Sequence, residues 1–260
     1  MVEDRDTPGE DTAAPGEIQA VSRAAQILGL LGPEVPELTA AGTAELLDLN
    51  RTTAYRYCIS LVAAGLLDRG GRPGTFIPGR LLLQLGTYAL GRRAVMDLAP
   101  PHMRQLCADT HMTAVMSLWG SAGPVVSRVE EDTTRTVLIT VRVGSHLDLE
   151  SAQAKVFLAF NGDQFNADRL LAGLPAHQHH RLHEEIEQIR RTGRNVTANQ
   201  NGVTAVAAPV FDEYGICAAL AIIGTDDTLS PDPGSPQARL VVDTAADLTK
   251  EMGGAPPAIP

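Results

Sequence analysis

Five groups of residues in this chain have types and spacings that could do chemistry. In "SAQAK", Ser151 and Lys155 lie four apart, the interval that puts two side chains on one helix face. A lysine so placed could take the serine's proton for acyl transfer. The spacing is not S-x-x-K, however, and activation also requires a desolvated lysine and an oxyanion hole. Neither has a signature in this stretch. In "AHQHHRLHEEIE", His177, His179, His180 and His183 crowd together. His179 and His183 share a helix face and could ligate a metal with Glu187. The order lacks H-E-x-x-H, so a polar, solvated helix surface is the expectation. Cys58, Cys107 and Cys217 are scattered, without CxxC or zinc-ribbon spacing, and read as reduced thiols, Cys217 as a small buried residue on a strand. "GRPG" lacks the lysine and following helix of a phosphate loop. These groups imply no enzyme, no metal and no cofactor, with a hydrolase at Ser151 as the alternative to be tested.

The fifth group is "RTTAYR": Arg51, Thr52, Thr53, Tyr55 and Arg56, with no acid between Arg51 and Ala64. Arginine addresses guanine edges and phosphates, Thr and Tyr hydroxyls hold phosphate oxygens, and a Thr methyl can meet thymine. A merely solvated helix face usually mixes charge signs; this one does not.

The elements around that group say how it would be held. "IQAVSRAAQILGLL" places Ile18, Val21, Ala25, Leu28 and Leu31 at helical spacing, an amphipathic helix closed by Gly32-Pro33. Thr39 can cap a second helix, "AAGTAELLD", and Asn50 or Thr52 a third that runs to about Ala64 and ends at Gly65. "LLDR" and "TFIPG" then read as two short strands around the tip "GGRPG". Helix, helix, tight turn, helix and hairpin is the order of a winged helix-turn-helix, whose third helix enters a major groove with its N-terminal residues leading. A small helical subdomain that contacts a protein is the alternative.

Arg80 to Arg93 is expected to form a linker helix whose Leu81, Leu85, Tyr88 and Ala89 suit a partner helix. Pro100-Pro101 would open the next helix. "TAVMSLWG", "GPVVSRVEE" and "TVLITVRV" are strand-like. "SAQAKVFLAF" and the stretches around Asp163–Leu171 and His179–Thr192 are helical, and "VTAVAAPVFD" and "CAALAIIG" pair across the turn "EYG". The fold class expected is mixed α and α+β: a winged N-terminal domain followed by helices packed on an antiparallel sheet. The domains would be a disordered acidic tail at 1–17, the winged domain at 18–79, a linker helix at 80–93, an α+β domain at 94–252 and a disordered tail at 253–260, whose Gly and Pro cannot continue a helix.

The formal net charge of −10 does not exclude nucleic acid once it is divided along the chain. Residues 1–17 carry one Arg and six acids, residues 18–80 six Arg and five acids, and residues 81–260 the remaining 14 bases and 20 acids. The excess acid lies outside the winged segment, and the local face decides. No run approaches a membrane span, and the acidic start is unlike a signal peptide, so a cytoplasmic protein with no membrane partner is expected.

Over residues 18–252 the sequence resembles the IclR family of bacterial transcriptional regulators. "AVSRAAQILGLL" resembles the family's first helix, "LNRTTAYRYCISLVAAGLLDR" its recognition helix and the start of its wing, and "FIPGRLLLQLG" its wing exit and linker. "LESAQAKVFLAF", "IEQIRRTGR" and "NGVTAVAAPVFDEYGICAALAIIG" are similar to the loop, helix and hairpin of its effector domain. The resemblance implies a one-component regulator, with repression the commoner mode, a GAF-like effector-binding domain, a small organic effector, and a homodimer or dimer of dimers on a palindromic double-stranded operator at the nucleoid. It places DNA contacts on Arg51, Thr52, Thr53, Tyr55 and Arg56, with Arg23, Arg69 and Arg72 nearby. It places the effector pocket at Ser151, Ala152, Asn195, Ala205, Ala221 and Ile223. Ser117 and Trp119 are added from the strand pattern, and the apolar members lean towards an aromatic or carboxylic effector. The sequence departs from the family in having Asp48 where the turn often has Gly, Ala154-Lys155 for Gly-Lys, and "TANQNG" where an acidic pair is common. A metabolite sensor whose winged domain touches only protein is the rival reading.

Overall fold

Two short polar side chains start the helices of the turn region. The Thr39 hydroxyl accepts the Gly42 N–H (3.0 Å), opening α2 (Ala40–Leu46), and the Asn50 side-chain oxygen accepts the Thr52 N–H (2.8 Å), opening α3 (Arg51–Ala63). Between them Asp48 takes the left-handed region, φ 49°, which Asp enters more readily than most side chains. The Asp in the glycine position is therefore accommodated. The structure, a computed structural model, describes residues 18–121, 123–134, 138–160, 176–199 and 201–257. The chain divides into two compact units after Tyr88. The expected acidic tail and the expected helix at Asp163–Leu171 lie outside the described residues, as do the side chains of His177 and His179.

In the first unit, α1 (Gln19–Gly29), α2 and α3 pack with a small sheet of β1 (Leu38–Thr39), β2 (Leu67–Arg69) and β3 (Thr75–Pro78), ordered β1-β3-β2. Its core is Ile27, Leu38, Cys58, Leu61, Leu67 and Phe76. Two expectations change. The wing has three strands, because Leu38 and Thr39 pair with Phe76 and Thr75; a two-residue strand carries no periodicity to read. The stripe on α1 also splits. Ala24, Ile27, Leu28 and Leu31 pack inward, while Ile18, Val21 and Ala25 are exposed.

α4 (Arg80–Gly91) follows and has no buried residue at all. In the second unit, α5 (Ala94–Thr110) starts six residues before Pro100-Pro101 and runs through them. The prolines forfeit two helical N–H donors, but Val95, Ala99, Met103, Leu106 and Thr110 form a buried stripe that carries the helix past them.

The sheet of this unit is antiparallel and five-stranded: β4 (Thr113–Gly120), β5 (Gly123–Glu130), β6 (Asn195–Ala198), β7 (Val203–Asp212) and β8 (Gly215–Thr225), ordered β5-β4-β8-β7-β6. Helices cover both faces. α5 and α8 (Pro236–Glu251, capped by Ser235) share a core with Met116, Val206, Ala208, Leu220 and Ile222. α6 (Ala152–Phe160) and α7 (Ala176–Thr192) share another with Ala207, Ala219 and Ala221. Burial on both faces is why "CAALAIIG" reads as a continuous apolar run. The expected strand "TVLITVRV" does not form over its described part, residues 138–143. The edge of β5 is taken instead by the segment after it, through Val126 N–H to Ser145 O (2.9 Å) and Leu147 N–H to Pro124 O (2.9 Å). β6, too short to read from the sequence, pairs with β7 as Asn195↔Ala207 and Thr197↔Ala205.

Candidate functional site

The first candidate site is the leading end of α3. Ala54, Cys58 and Leu61 are buried against the first unit's core, so helical geometry turns Arg51, Thr52, Thr53, Tyr55 and Arg56 outward, and all five are exposed. Among the described residues no carboxylate engages Arg51 or Arg56. The face is a set of uncompensated cations and hydroxyls on a rigid element.

The wing supplies a second basic edge. Arg69 is exposed at the end of β2, and Arg72 lies on the tip. Arg72 donates to the Glu37 carboxylate from Nη2 (3.0 Å) and Nε (3.3 Å), and these bonds are the first reason that carboxyl sits below its usual range. Sequence spacing does not reveal this pair, which spans 35 residues. Arg23 is half-buried on α1 and donates to Gln26 (3.0 Å).

The second candidate site lies in the C-terminal unit, where the start of α6 meets β6, β7 and α7. A cavity of about 690 Å³ opens there, walled by Ser151, Ala152, Lys155, Arg181, Asn195 and Ala205 among others. Four of the eight residues expected to line an effector pocket, Ser151, Ala152, Asn195 and Ala205, are therefore together. Ile223 is the cross-strand partner of Ala205 but is not on the cavity wall. Ala221 lies on the same sheet face, opposite Ala207 and Val115, and is sealed beneath α6. Ser117 and Trp119 share that face further along β4, where Ser117 pairs with Ala219 and Trp119 packs on Phe157 (ring centroids 5.4 Å apart). Ser117 Oγ and Trp119 Nε1 are buried without a hydrogen-bond partner among the described residues. These two stand outside the cavity.

Charged side chains outside the expected effector set complete its wall. Lys155, only 4% exposed, is held between Glu150 (2.9 Å) and Glu185 (2.7 Å), and Arg181 also donates to Glu185 (2.9 Å). Burial pushes the Glu185 carboxyl up, but the hydrogen bond and charge of Lys155, then those of Arg181, outweigh it and hold the group below the usual carboxylate range. Gln153, also buried, donates to Ala219 O (2.8 Å) and Val115 O (3.3 Å), tying α6 to the sheet. The alanines at 207, 219 and 221 leave room for this approach. Replacing Lys155 by Met removes the cation that bridges Glu150 and Glu185 and leaves Glu185 with Arg181 alone. Breaking a fully buried pair costs about 3–5 kcal/mol; because Glu150 and Glu185 keep access to water, a loss of roughly 2 kcal/mol is expected. A melting midpoint roughly 4–8 °C lower in calorimetry checks it.

The same contacts bear on catalysis. The Ser151 hydroxyl donates to Asp148 O (2.7 Å) and accepts the Ala154 N–H (3.2 Å) as the cap of α6. The neighbouring Lys155 nitrogen is engaged by two carboxylates, Glu150 and Glu185, rather than by the serine. Burial raises the Cys217 thiol to about 12 and its Sγ lies 3.4 Å from Val210 O, so it is a packing residue. His180 on α7 lies 3.4 Å from Glu184, and among the described residues no three His, Cys, Asp or Glu converge as a metal site. No described helix is long and apolar enough to cross a membrane.

Comparison with known proteins covers both units. Residues 20–71 match the family profile described as the IclR helix-turn-helix domain, and residues 87–250, more than half of the chain, match that of the bacterial transcriptional regulator IclR C-terminal. The transcriptional repressor AllR of Escherichia coli K12 is 25% identical over 96% of this chain and 96% of its own. The DNA-binding transcriptional repressor YiaJ of the same organism is 23% identical over 79% of this chain and 77% of its own. An IclR transcriptional regulator from Silicibacter has the same fold, with a TM-score of 0.80 at 22% identity over 93% of this chain and 99% of its own. So has an IclR homolog from Microbacterium hydrocarbonoxydans complexed with 4-hydroxybenzoate, with a TM-score of 0.68 at 19% identity over 90% and 99%. The chain belongs to the IclR family of bacterial DNA-binding transcriptional regulators.

Proposed function

We propose that this regulator binds a palindromic operator as a homodimer or dimer of dimers, and represses from it until a small polar organic metabolite occupies the cavity at Ser151, Ala152, Asn195 and Ala205. The observation that carries the DNA reading is the leading end of α3, where two arginines and three hydroxyl-bearing residues face solvent with no acid among them. Arg51, Thr52, Thr53, Tyr55 and Arg56 then make the groove contacts, Arg69 and Arg72 touch the flanking backbone, and Arg23 adds a phosphate contact. Arg72 shares its guanidinium with Glu37, so its part is smaller. AllR and YiaJ are named repressors, and we infer the same sense of action.

One winged domain reaches few base pairs, so symmetry must supply the rest. The surface for pairing is α4, whose Leu83, Leu85 and Tyr88 are 72%, 51% and 64% exposed, with Ile18 and Val21 of α1 as further apolar area. Such helices gain by burial against a second copy. The regulator works where DNA is, in the cytoplasm, and turns over no substrate. The cavity's polar wall, with both cations already matched by carboxylates, suits an effector recognised by hydrogen bonds, organic acids among them. The Microbacterium homolog's complex with 4-hydroxybenzoate illustrates that class.

A salt series tests DNA binding against the rival protein-contact reading. Anisotropy of a labelled operator should give an association constant that falls with salt at a slope of about −0.9 for each phosphate neutralised; a flat slope would favour the rival. The pocket has its own test. Ala205→Phe fills the cavity from a half-buried position, so operator affinity should persist while the effector-dependent change, typically about 1–3 kcal/mol in coupling, disappears. A normal effector response in this variant would place the ligand elsewhere.

A further inference from the structure

We propose that the C-terminal unit carries a second ligand site, for an amphipathic monoanion with an aromatic or branched apolar body, where the ends of α7 and α8 meet the segment after α8. A cavity of about 440 Å³ lies there, separate from the effector cavity and sharing none of its wall. That volume suits a small molecule. Its floor is apolar: Phe160 and Phe211 meet edge-on with centroids 5.3 Å apart, and Val242 and Ala245 of α8 close the far side.

The charged members of its lining are all basic: Arg190, Arg191 and Lys250. Bases in the last turn of a helix commonly offset its dipole, and these three stand in such positions. An apolar hollow beneath them is not part of that role. Arg190 is partly satisfied, by Ala159 O (2.8 Å) and Glu187 (2.7 Å). Arg191 donates to Gln188 (3.1 Å), and among the described residues neither Arg191 nor Lys250 has a carboxylate partner. In the effector cavity, by contrast, Lys155 and Arg181 are both matched by acid. An apolar floor under unmatched cations selects a carboxylate or sulfonate head on a greasy body.

The outer wall is fixed by the chain's own chemistry. After α8, Gly253 (φ 71°) turns the backbone, and the Gly254 N–H reaches Thr249 O (2.9 Å). Gly254 then lies so close to β7 that a Cβ there would meet Phe211 O at 2.2 Å. Ala255, Pro256 and Pro257 continue as the cavity's side, and the two fixed proline rings hold it in place.

The test is calorimetric titration of the full chain with 2-naphthoate and with its neutral counterpart 2-naphthylmethanol. The expected result is one saturable naphthoate site per chain. Ala246→Trp, on the exposed part of the lining, should block the mouth without disturbing the core and weaken naphthoate roughly tenfold or more. Reversing the two cations without a carboxylate partner, Arg191→Glu with Lys250→Glu, should weaken naphthoate by about tenfold, two surface-pair contributions lost and turned repulsive, and leave naphthylmethanol unchanged. Ala205→Phe, in the effector cavity, should leave naphthoate binding intact. Absence of saturable binding overturns the proposal. So does binding that survives Ala246→Trp or is lost in Ala205→Phe.

Discussion

Arg56→Ala should cut operator affinity by roughly 30-fold to 20,000-fold while leaving the melting temperature and the oligomeric state alone. A side chain that contacts a base edge contributes about 1–3 kcal/mol of discrimination, and a symmetric dimer loses that contact twice, about 2–6 kcal/mol in all. Arg56 is exposed on α3 and no described carboxylate engages it, so its removal breaks nothing within the fold; surface changes of this kind stay within about 0.5 kcal/mol. Affinity for unrelated DNA should fall far less, because other cations carry the phosphate contacts. An operator affinity unchanged by Arg56→Ala would remove α3 from the recognition role. A parallel loss of thermal stability would recast Arg56 as a structural residue.

Gly79→Ala should disable the same unit by a different route, unfolding the wing from α3. A Cβ at Gly79 would sit 2.2 Å from Gly65 O, 2.6 Å from Leu66 C and 2.7 Å from Leu67 N. All three are backbone atoms, and the crossing is pinned by Gly79 N–H to Leu66 O (3.0 Å) and Leu81 N–H to Gly65 O (3.1 Å). No rotamer change relieves the overlap. The cost should be about 3 kcal/mol, the upper end for over-packing. In a unit this small each kcal/mol moves the midpoint by roughly 4–8 °C, so its transition should fall by about 12–24 °C. Amide exchange at Leu67 and Phe76 should rise with it, while the sheet of the second unit keeps its protection. A variant that melts within a few degrees of the parent would mean that the crossing is looser than these distances state.

The parts of the fold legible in the sequence are those with a local cause. Thr39 and Asn50 announce their helices by capping, Asp48 accepts a conformation close to the one a glycine would take, and alternation on α3 separates Ala54, Cys58 and Leu61 from the exposed face. What long-range packing decides was not legible. Pro100-Pro101 reads as a helix start because proline's local effect is strong, yet the buried stripe from Val95 to Thr110 overrides it. "TVLITVRV" has the alternation of a strand but finds the β5 edge already occupied by residues 144–147. On α1 the apolar residues outnumber the inward positions, so Ile18 and Val21 share the stripe's spacing but lie outside it.

The sites follow the same division. Arg51 to Arg56 could be picked out because one turn of helix presents them together. The cavity in the second unit draws on residues from Leu147 to Ala205, and the Lys155–Glu185 pair that shapes its wall joins positions with no sequence relation. The resemblance carried Ser151, Ala152, Asn195 and Ala205 to that wall; strand alternation carried Ser117 and Trp119 only to the correct face of the sheet.

The central claim is sequence-specific DNA binding through α3, and one measurement meets it directly. The purified protein is incubated with fragmented genomic DNA from its source organism at about 0.15 M salt, and the retained fragments are sequenced. The account predicts a few strongly enriched fragments that share an inverted repeat, with the enrichment lost in Arg56→Ala. Retention without sequence preference, or none with or without a metabolite extract, would contradict it and favour a sensor whose winged domain contacts protein.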